Sequence, residues 1–152
     1  MNPGRKRVLF VCIGNACRSQ MAEGFARTYG SDVLIPASAG LSPAGYVARD
    51  TIHSMEEKGI DVRDHFPKTI RHLGRVPFDL MINMSGMGIP ETLTGAAEVR
   101  EWEVEDPVSL KYEEHCEIRD QIEKLVMTLI LELRRERTSP KLQPFGSGRL
   151  DT

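Results

Sequence analysis

Apolar positions fall into short continuous runs that alternate with segments of helical periodicity. The continuous runs predict β-strands over residues 8–12, 33–37, 80–84 and 98–104. Apolar residues spaced three and four apart predict helices over residues 20–29, 47–58, 66–73 and 112–137. This alternation indicates an α/β fold, a single domain over residues 1–138 with a parallel four-stranded sheet and helices on both faces. Residues 139–152 are rich in proline and glycine without periodicity, which predicts a disordered tail.

Polar residues that could bind a ligand or take part in catalysis lie close to the ends of the predicted strands. They are Cys12, Ser38, Ser85 and Asp106. In parallel α/β sheets, ligands bind beyond the carboxyl ends of the strands, because the connecting loops meet there. We therefore expect these four side chains to share one rim of the sheet, with any functional site at that rim.

Composition narrows the classes of function. The chain has 152 residues, of which 40% are hydrophobic, and a net charge of −2, which gives no reason to expect nucleic-acid binding. No apolar stretch approaches transmembrane length, so no membrane association is expected. Three cysteines do not make a disulfide framework, and a reactive thiol fits a reducing, cytoplasmic setting. No His, Cys and Asp cluster has metal-ligand spacing, so neither a metal nor another cofactor is expected.

The strongest chemical signal is the loop that follows the first predicted strand. Cys12 ends that strand and Arg18 opens the next helix, so a thiol and a guanidinium face the same short loop. Backbone N–H groups of such a loop converge with the helix dipole on one point, which suits a tetrahedral dianion and favours a thiolate. We therefore predict a phosphate-binding loop with Cys12 as the nucleophile, whose other members are Ile13, Gly14, Asn15, Ala16, Cys17 and Ser19.

This loop resembles the phosphate-binding loop of the low-molecular-weight protein tyrosine phosphatases and of the arsenate reductases that share their fold. The resemblance extends to about Arg137, through the pieces Ser38-Ala39-Gly40, Gly59-Ile60-Asp61 before His65, Phe78-Asp79-Leu80 and Asp106-Pro107. Two pieces favour the arsenate-reductase branch: the run Ser19-Gln20-Met21-Ala22-Glu23-Gly24, and Trp102 four residues before Asp106.

Each catalytic role has a chemical reason. The Cys12 thiolate would attack phosphorus, and the Arg18 fork would bind two non-bridging oxygens in the transition state. Asp106, held extended by Pro107, would protonate the leaving oxygen. Ser19 could donate to the sulfur or simply cap the helix.

Supporting roles follow from the loop geometry and from the resemblance. Asn15 suits a left-handed loop position. The resemblance implies a hydrogen-bond network of Asn15, Ser38 and His65 that holds the loop. Cys17 could trap an oxidised Cys12 as a protective disulfide, or could be a small packing residue; both interpretations stay open.

Two enzymatic functions share this site. The first is a cysteine-dependent phosphomonoester hydrolase, acting on a phosphorylated protein or a small aryl phosphate, with phosphate, sulfate or arsenate as anion ligands. The alternative is an arsenate reductase that uses an external low-molecular-weight thiol or another reductant. Thioredoxin-coupled relatives carry two further cysteines after the third strand, where this chain has Ser85 and no cysteine. An inactive anion-binding module is disfavoured because Cys12, Arg18 and Asp106 are all present.

Overall fold

A four-stranded sheet forms the centre of the fold. The computed structural model describes residues 4–138; residues 139–152, the predicted tail, lie outside them. The strands are β1 (Lys6–Cys12), β2 (Leu34–Gly40), β3 (Leu80–Asn83) and β4 (Glu98–Glu101). The helices are α1 (Arg18–Gly30), α2 (Arg49–Glu56), α3 (Glu91–Thr94) and α4 (Tyr112–Thr138), with one-turn 3₁₀ helices at Arg71–Leu73 and Pro107–Ser109.

All neighbouring strands are parallel, in the spatial order β2-β1-β3-β4. The central strand β1 is covered on both faces, which explains its continuous run of fully buried residues Val8–Val11. Its last residue, Cys12, pairs in register with Gly40 at the end of β2. The predicted single α/β domain with a parallel four-stranded sheet is confirmed.

The two faces of the sheet are covered unequally. Helices α1, α2 and α4 bury Phe10 and the same-facing side chains of β1 in the larger core cluster. The opposite face presents Leu9, Val11 and Met81, which Ile70 and Phe78 of the connection before β3 cover. The second face is therefore closed mainly by loop and a single 3₁₀ turn.

The helix expected over residues 66–73 is wrong in its extent. Only Arg71–Leu73 is helical, as a 3₁₀ turn. Gly40 instead donates its N–H to the Lys68 carbonyl at 2.8 Å and forms a parallel bridge with Thr69. Because this backbone bonds to the edge of β2, it is not available for the i to i−4 hydrogen bonds of a helix.

Other elements also differ from expectation. β2 continues to Gly40 rather than ending at residue 37, β4 ends at Glu101 rather than at residue 104, and the short helix α3 was not predicted. Among the described residues, no helix combines the length and the apolar character needed to cross a membrane.

Candidate active site

The loop between β1 and α1 is held by the segment that follows β2. Backbone N–H groups of this segment bond the loop carbonyls: Leu41 to Cys12 at 3.1 Å, Ser42 to Ile13 at 2.8 Å, Ala44 to Gly14 at 2.9 Å and Ala48 to Ala16 at 3.1 Å. The C=O and N–H of one peptide unit point in opposite directions. The loop amides therefore face away from this segment, where together they can bind an anion.

Close backbone packing fixes the position of the loop. A Cβ added at Gly40 would lie 2.7 Å from the Ile13 carbonyl oxygen and 2.9 Å from the Asn15 nitrogen. Such distances are shorter than real Cβ contacts, so only glycine fits there. Asn15 has φ 51°, which confirms the expected left-handed loop position.

A directional chain of hydrogen bonds ends at the Cys12 sulfur. The Lys68 N–H donates to Asn15 Oδ1 at 3.0 Å, which leaves the Asn15 amide nitrogen to donate to Ser19 Oγ at 2.7 Å. Ser19 Oγ lies 2.9 Å from Cys12 Sγ. Because Ser19 Oγ accepts a hydrogen bond from Asn15, the Ser19 hydroxyl hydrogen can point at the sulfur.

Arg18 is almost completely buried, with 5% of its side chain exposed. One terminal nitrogen donates to the carbonyls of Met84 at 2.6 Å and Val104 at 2.9 Å, which follow β3 and β4. The other terminal nitrogen lies 3.5 Å from Asp106 Oδ2. These contacts leave the Nε edge of the guanidinium as a fork that could bind two oxygens of an anion.

Asp106 lies at the same rim, in the connection between β4 and α4. Its backbone is extended (φ −76°, ψ 116°), as expected before Pro107, and its side chain caps the following 3₁₀ turn through the Val108 N–H at 3.1 Å. The carboxylate is 42% exposed, so water can reach it. The contact with Arg18 thus brings Asp106 to the loop that carries Cys12, although Asp106 lies far from both residues in sequence.

The network expected from Asn15, Ser38 and His65 is present in a different form. Ser38 Oγ donates to Glu23 Oε1 at 2.5 Å rather than to Asn15. The physical reason is that Glu23 is buried, and a buried carboxylate needs donors. Arg27 supplies a second partner to Glu23 at 2.7 Å. Ser38 therefore stabilises α1 beneath the loop.

Gln20 is the member of this network that sequence reasoning missed. Its side-chain nitrogen donates to the carbonyls of Asn15 at 3.0 Å and Phe66 at 3.2 Å, and its oxygen lies 2.8 Å from His65 Nδ1. The His65 Nδ1 must then carry the hydrogen. Burial lowers the pKa of His65, so the neutral ring is favoured. Among the described residues, Gln20 links His65 to the loop, a contact that no local pattern reveals.

The three cysteines lie in different environments. Cys17 is buried at the start of α1, and this burial raises the pKa of its thiol to about 11, against a smaller lowering by a hydrogen bond with Thr51. Cys116 lies half-buried on α4, 3.8 Å from a carboxylate oxygen of Glu57. Ser85 follows β3 and its hydroxyl donates to Asn83 Oδ1 at 2.6 Å.

A cleft of about 410 Å³ opens beside the loop. Cys17, Tyr46 and Val108 are among the residues that line it, and Tyr46 and Val108 are largely exposed. Trp102 instead packs against Phe10, with ring centroids 6.0 Å apart. Within residues 4–138, no three His, Cys, Asp or Glu side chains group closely enough to hold a metal ion.

Comparison with known proteins identifies the protein family to which this chain belongs. A model of the family described as low molecular weight phosphotyrosine protein phosphatase matches residues 7–139, and the chain belongs to this family. A glutaredoxin arsenate reductase from Synechocystis sp. is 36% identical over 131 residues, which cover 84% of this chain and 98% of the relative.

Solved structures give a similar result. The structure of an arsenate reductase in the phosphate binding state matches with a TM-score of 0.77 at 34% identity, covering 84% of this chain and 98% of the other. A low molecular weight protein tyrosine phosphatase from T. tengcongensis matches with a TM-score of 0.72 at 25% identity, covering 84% and 99%. The family therefore includes relatives of both functional types.

We expect Gly40→Ala to weaken anion binding at the loop by at least about tenfold, because the added methyl must displace Ile13 and Asn15. Calorimetric titration with inorganic phosphate measures the effect. Gly45→Ala is the matched control, since a Cβ there meets no described atom within 4 Å. Equal phosphate affinity in both variants would contradict the proposed support of the loop.

We expect the folded protein to resist alkylation at Cys17. With a pKa of about 11 instead of 9.0, its thiolate fraction at pH 8 is about a hundredfold lower, and burial slows the reaction further. Iodoacetamide labelling followed by peptide mass spectrometry measures the rate, and the urea-unfolded chain is the control. Rapid native labelling of Cys17 would show that the thiol is accessible and ionised.

Proposed function

We propose that this protein is a cysteine-dependent phosphomonoester hydrolase that works through a phosphocysteine intermediate. The observation that carries the proposal is the convergence of the hydrogen-bonded Cys12 sulfur, the buried Arg18 guanidinium and the Asp106 carboxylate around an anion-binding loop. These groups are a nucleophile, an electrostatic stabiliser and a proton donor, which phosphoryl transfer needs. A reduced cysteine nucleophile fits the cytoplasmic setting proposed from composition.

In the first step, the Cys12 thiolate attacks phosphorus and the bond from phosphorus to the leaving oxygen breaks. Arg18 and the loop amides stabilise charge on the non-bridging oxygens. Protonated Asp106 gives its proton to the leaving oxygen, so the alcohol departs neutral. The exposed cleft bordered by Tyr46 and Val108 would accept the organic part of the substrate.

In the second step, the Asp106 carboxylate takes a proton from water, and the water oxygen attacks the phosphorus of phosphocysteine. The bond between sulfur and phosphorus breaks and orthophosphate leaves. The Ser19 hydroxyl, 2.9 Å from Cys12 Sγ, stabilises the departing thiolate. No redox partner is needed, so the cycle is complete with the residues of this chain and water.

The direct test is hydrolysis of para-nitrophenyl phosphate under reducing conditions. The wild type should turn over, and Cys12→Ser should show no detectable turnover because a serine hydroxyl is a far weaker nucleophile than a thiolate. Cys116→Ser is the matched control, since it removes a thiol that lies half-buried against Glu57 on α4. Activity that survives in Cys12→Ser would remove Cys12 from the mechanism.

We expect Asp106→Asn to slow alkyl and phenyl phosphates by about 10²-fold or more, but para-nitrophenyl phosphate by less than about tenfold, because a good leaving group needs little protonation. Glu105→Gln, which changes the adjacent exposed carboxylate, is the control and should leave both rates unchanged. Steady-state kcat/KM for a series of leaving groups is the measurement. Equal losses for all esters would exclude Asp106 as the general acid.

Arsenate reduction is the second candidate, and the named relatives support it. Arsenate has the same shape as phosphate, so the Cys12 thiolate could form an arsenate adduct in the same loop. A second thiol must then attack and supply two electrons. Burial raises the pKa of Cys17 to about 11, which disfavours its attack, Cys116 lies on α4 beside Glu57, and Ser85 has no thiol. An external thiol such as glutathione would therefore take this role.

The two candidates differ in the consumption of thiol. Wild-type protein that releases arsenite from arsenate with stoichiometric oxidation of glutathione, with or without glutaredoxin, and that fails to hydrolyse aryl phosphates would overturn the phosphatase proposal. Hydrolysis without arsenate-dependent thiol oxidation would support it.

A further inference from the structure

A buried histidine that the proposed mechanism does not use lines the cleft beside the catalytic loop. His115 lies in the first turn of α4 and is 2% exposed. Its Nε2 lies 3.2 Å from Oγ1 of Thr51, a fully buried residue of α2. The ring also forms a hydrogen bond with the backbone of Pro107, the residue directly after Asp106. One imidazole therefore connects α2 and α4 to the segment that carries the proposed general acid.

The chemistry of proline fixes the direction of the bond to Pro107. Proline has no backbone N–H, so its carbonyl is the acceptor and the His115 ring supplies the hydrogen. The same carbonyl accepts the Leu110 N–H at 3.0 Å, and its two lone pairs can serve both donors. Burial lowers the pKa of His115, against a smaller raising by the Asp50 carboxylate, so the neutral ring is favoured. A neutral ring carries one hydrogen, which leaves its other nitrogen as an acceptor.

The Thr51 hydroxyl continues this chain of hydrogen bonds to the catalytic loop. Thr51 also bonds the Cys17 thiol, whose pKa is raised by burial to about 11. A protonated thiol can donate to the Thr51 oxygen, and the Thr51 hydrogen can then point to His115 Nε2. In the direction from Cys17 through Thr51 and His115 to Pro107, every donor meets an acceptor. The chain requires a protonated Cys17 and a neutral His115, which the burial of both side chains favours.

We propose that His115 is a positioning residue for Asp106: its Nδ1–H holds the Pro107 carbonyl while its Nε2 accepts a hydrogen bond from Thr51. The inference rests on the proposed phosphatase function, in which Asp106 protonates the leaving oxygen. The Asp106 side chain is 42% exposed, so its own surroundings constrain it weakly. Since Pro107 follows Asp106 directly and its ring fixes φ, holding the Pro107 carbonyl also holds the backbone of Asp106. His115 therefore acts through the backbone rather than by proton transfer.

The kinetic test separates misplacement of the acid from general damage to the site. His115→Phe keeps a ring at this position but removes both hydrogen bonds. We expect it to lower kcat/KM for phenyl phosphate by about tenfold and for para-nitrophenyl phosphate by less than about threefold, because the poorer leaving group depends more on protonation. The inhibition constant of inorganic phosphate should stay within about twofold, since Arg18 and the loop amides bind the anion. Equal losses for both esters, or no loss, would overturn the proposal.

Further variants keep the test decisive if His115→Phe folds poorly. His115→Asn retains an N–H near the position of Nδ1 and should recover at least about half of the wild-type rate on phenyl phosphate. In an Asp106→Asn background, His115→Phe should add less than about a twofold loss, because the acid that it positions is already absent. His72→Phe, at an exposed histidine in the 3₁₀ turn Arg71–Leu73, is the matched control and should leave both rates unchanged. Additive losses in the double variant, or no recovery in His115→Asn, would assign His115 to packing alone.

A measurement on the wild-type protein tests the chain of hydrogen bonds without any activity. Long-range ¹H–¹⁵N NMR spectra of the imidazole nitrogens should show His115 at neutral pH as the uncharged Nδ1–H tautomer, whereas the exposed His72 should show the tautomer mixture of a solvated ring. A His115 ring that is charged, or that carries its hydrogen on Nε2, would overturn the proposal. If the wild type hydrolyses no ester, the phosphatase proposal fails, and the His115 tautomer still decides whether the ring holds Pro107.

Discussion

The outward orientation of the loop carbonyls is the constraint on which this site depends. Four of them are bonded by the backbone that follows β2, so the amides of the same peptide units face the anion position. This arrangement requires the two backbones to approach closely, and Gly40 permits that approach. The proposed anion site therefore depends on how β1 and β2 are paired, and the side chains add to a geometry that the backbone already supplies.

Arg18 extends this dependence to the other half of the sheet. Burying a guanidinium costs several kcal/mol unless its hydrogen bonds are satisfied. Carbonyls that follow β3 and β4 satisfy one terminal nitrogen, and Asp106 lies within ion-pair distance of the other. The buried charge of Arg18 is thus compensated only when β3 and β4 lie beside β1 in the observed order.

Local patterns predicted the sheet, the loop and the left-handed Asn15, because periodicity, strand ends and turn chemistry depend on residues that are close together in sequence. Contacts between distant residues were harder to predict. Lys68 bonds Asn15 and Gln20 bonds His65, each across more than 40 positions of sequence. Most of residues 66–73 are not helical, because Thr69 forms a β-bridge with Gly40, which is also distant in sequence. Ser38 lies within β2 and bonds Glu23 rather than Asn15, because Glu23 is buried, which no local pattern reveals.

Ser85 follows Met84, whose carbonyl holds Arg18, and its hydroxyl is tied to Asn83. Any displacement of residue 85 toward Cys12 would also move the Met84 carbonyl, because the two residues share a peptide bond, and would weaken its hydrogen bond to Arg18. With the Ser85 hydroxyl bonded to Asn83, this carbonyl can stay on Arg18 while the proposed anion binds and leaves.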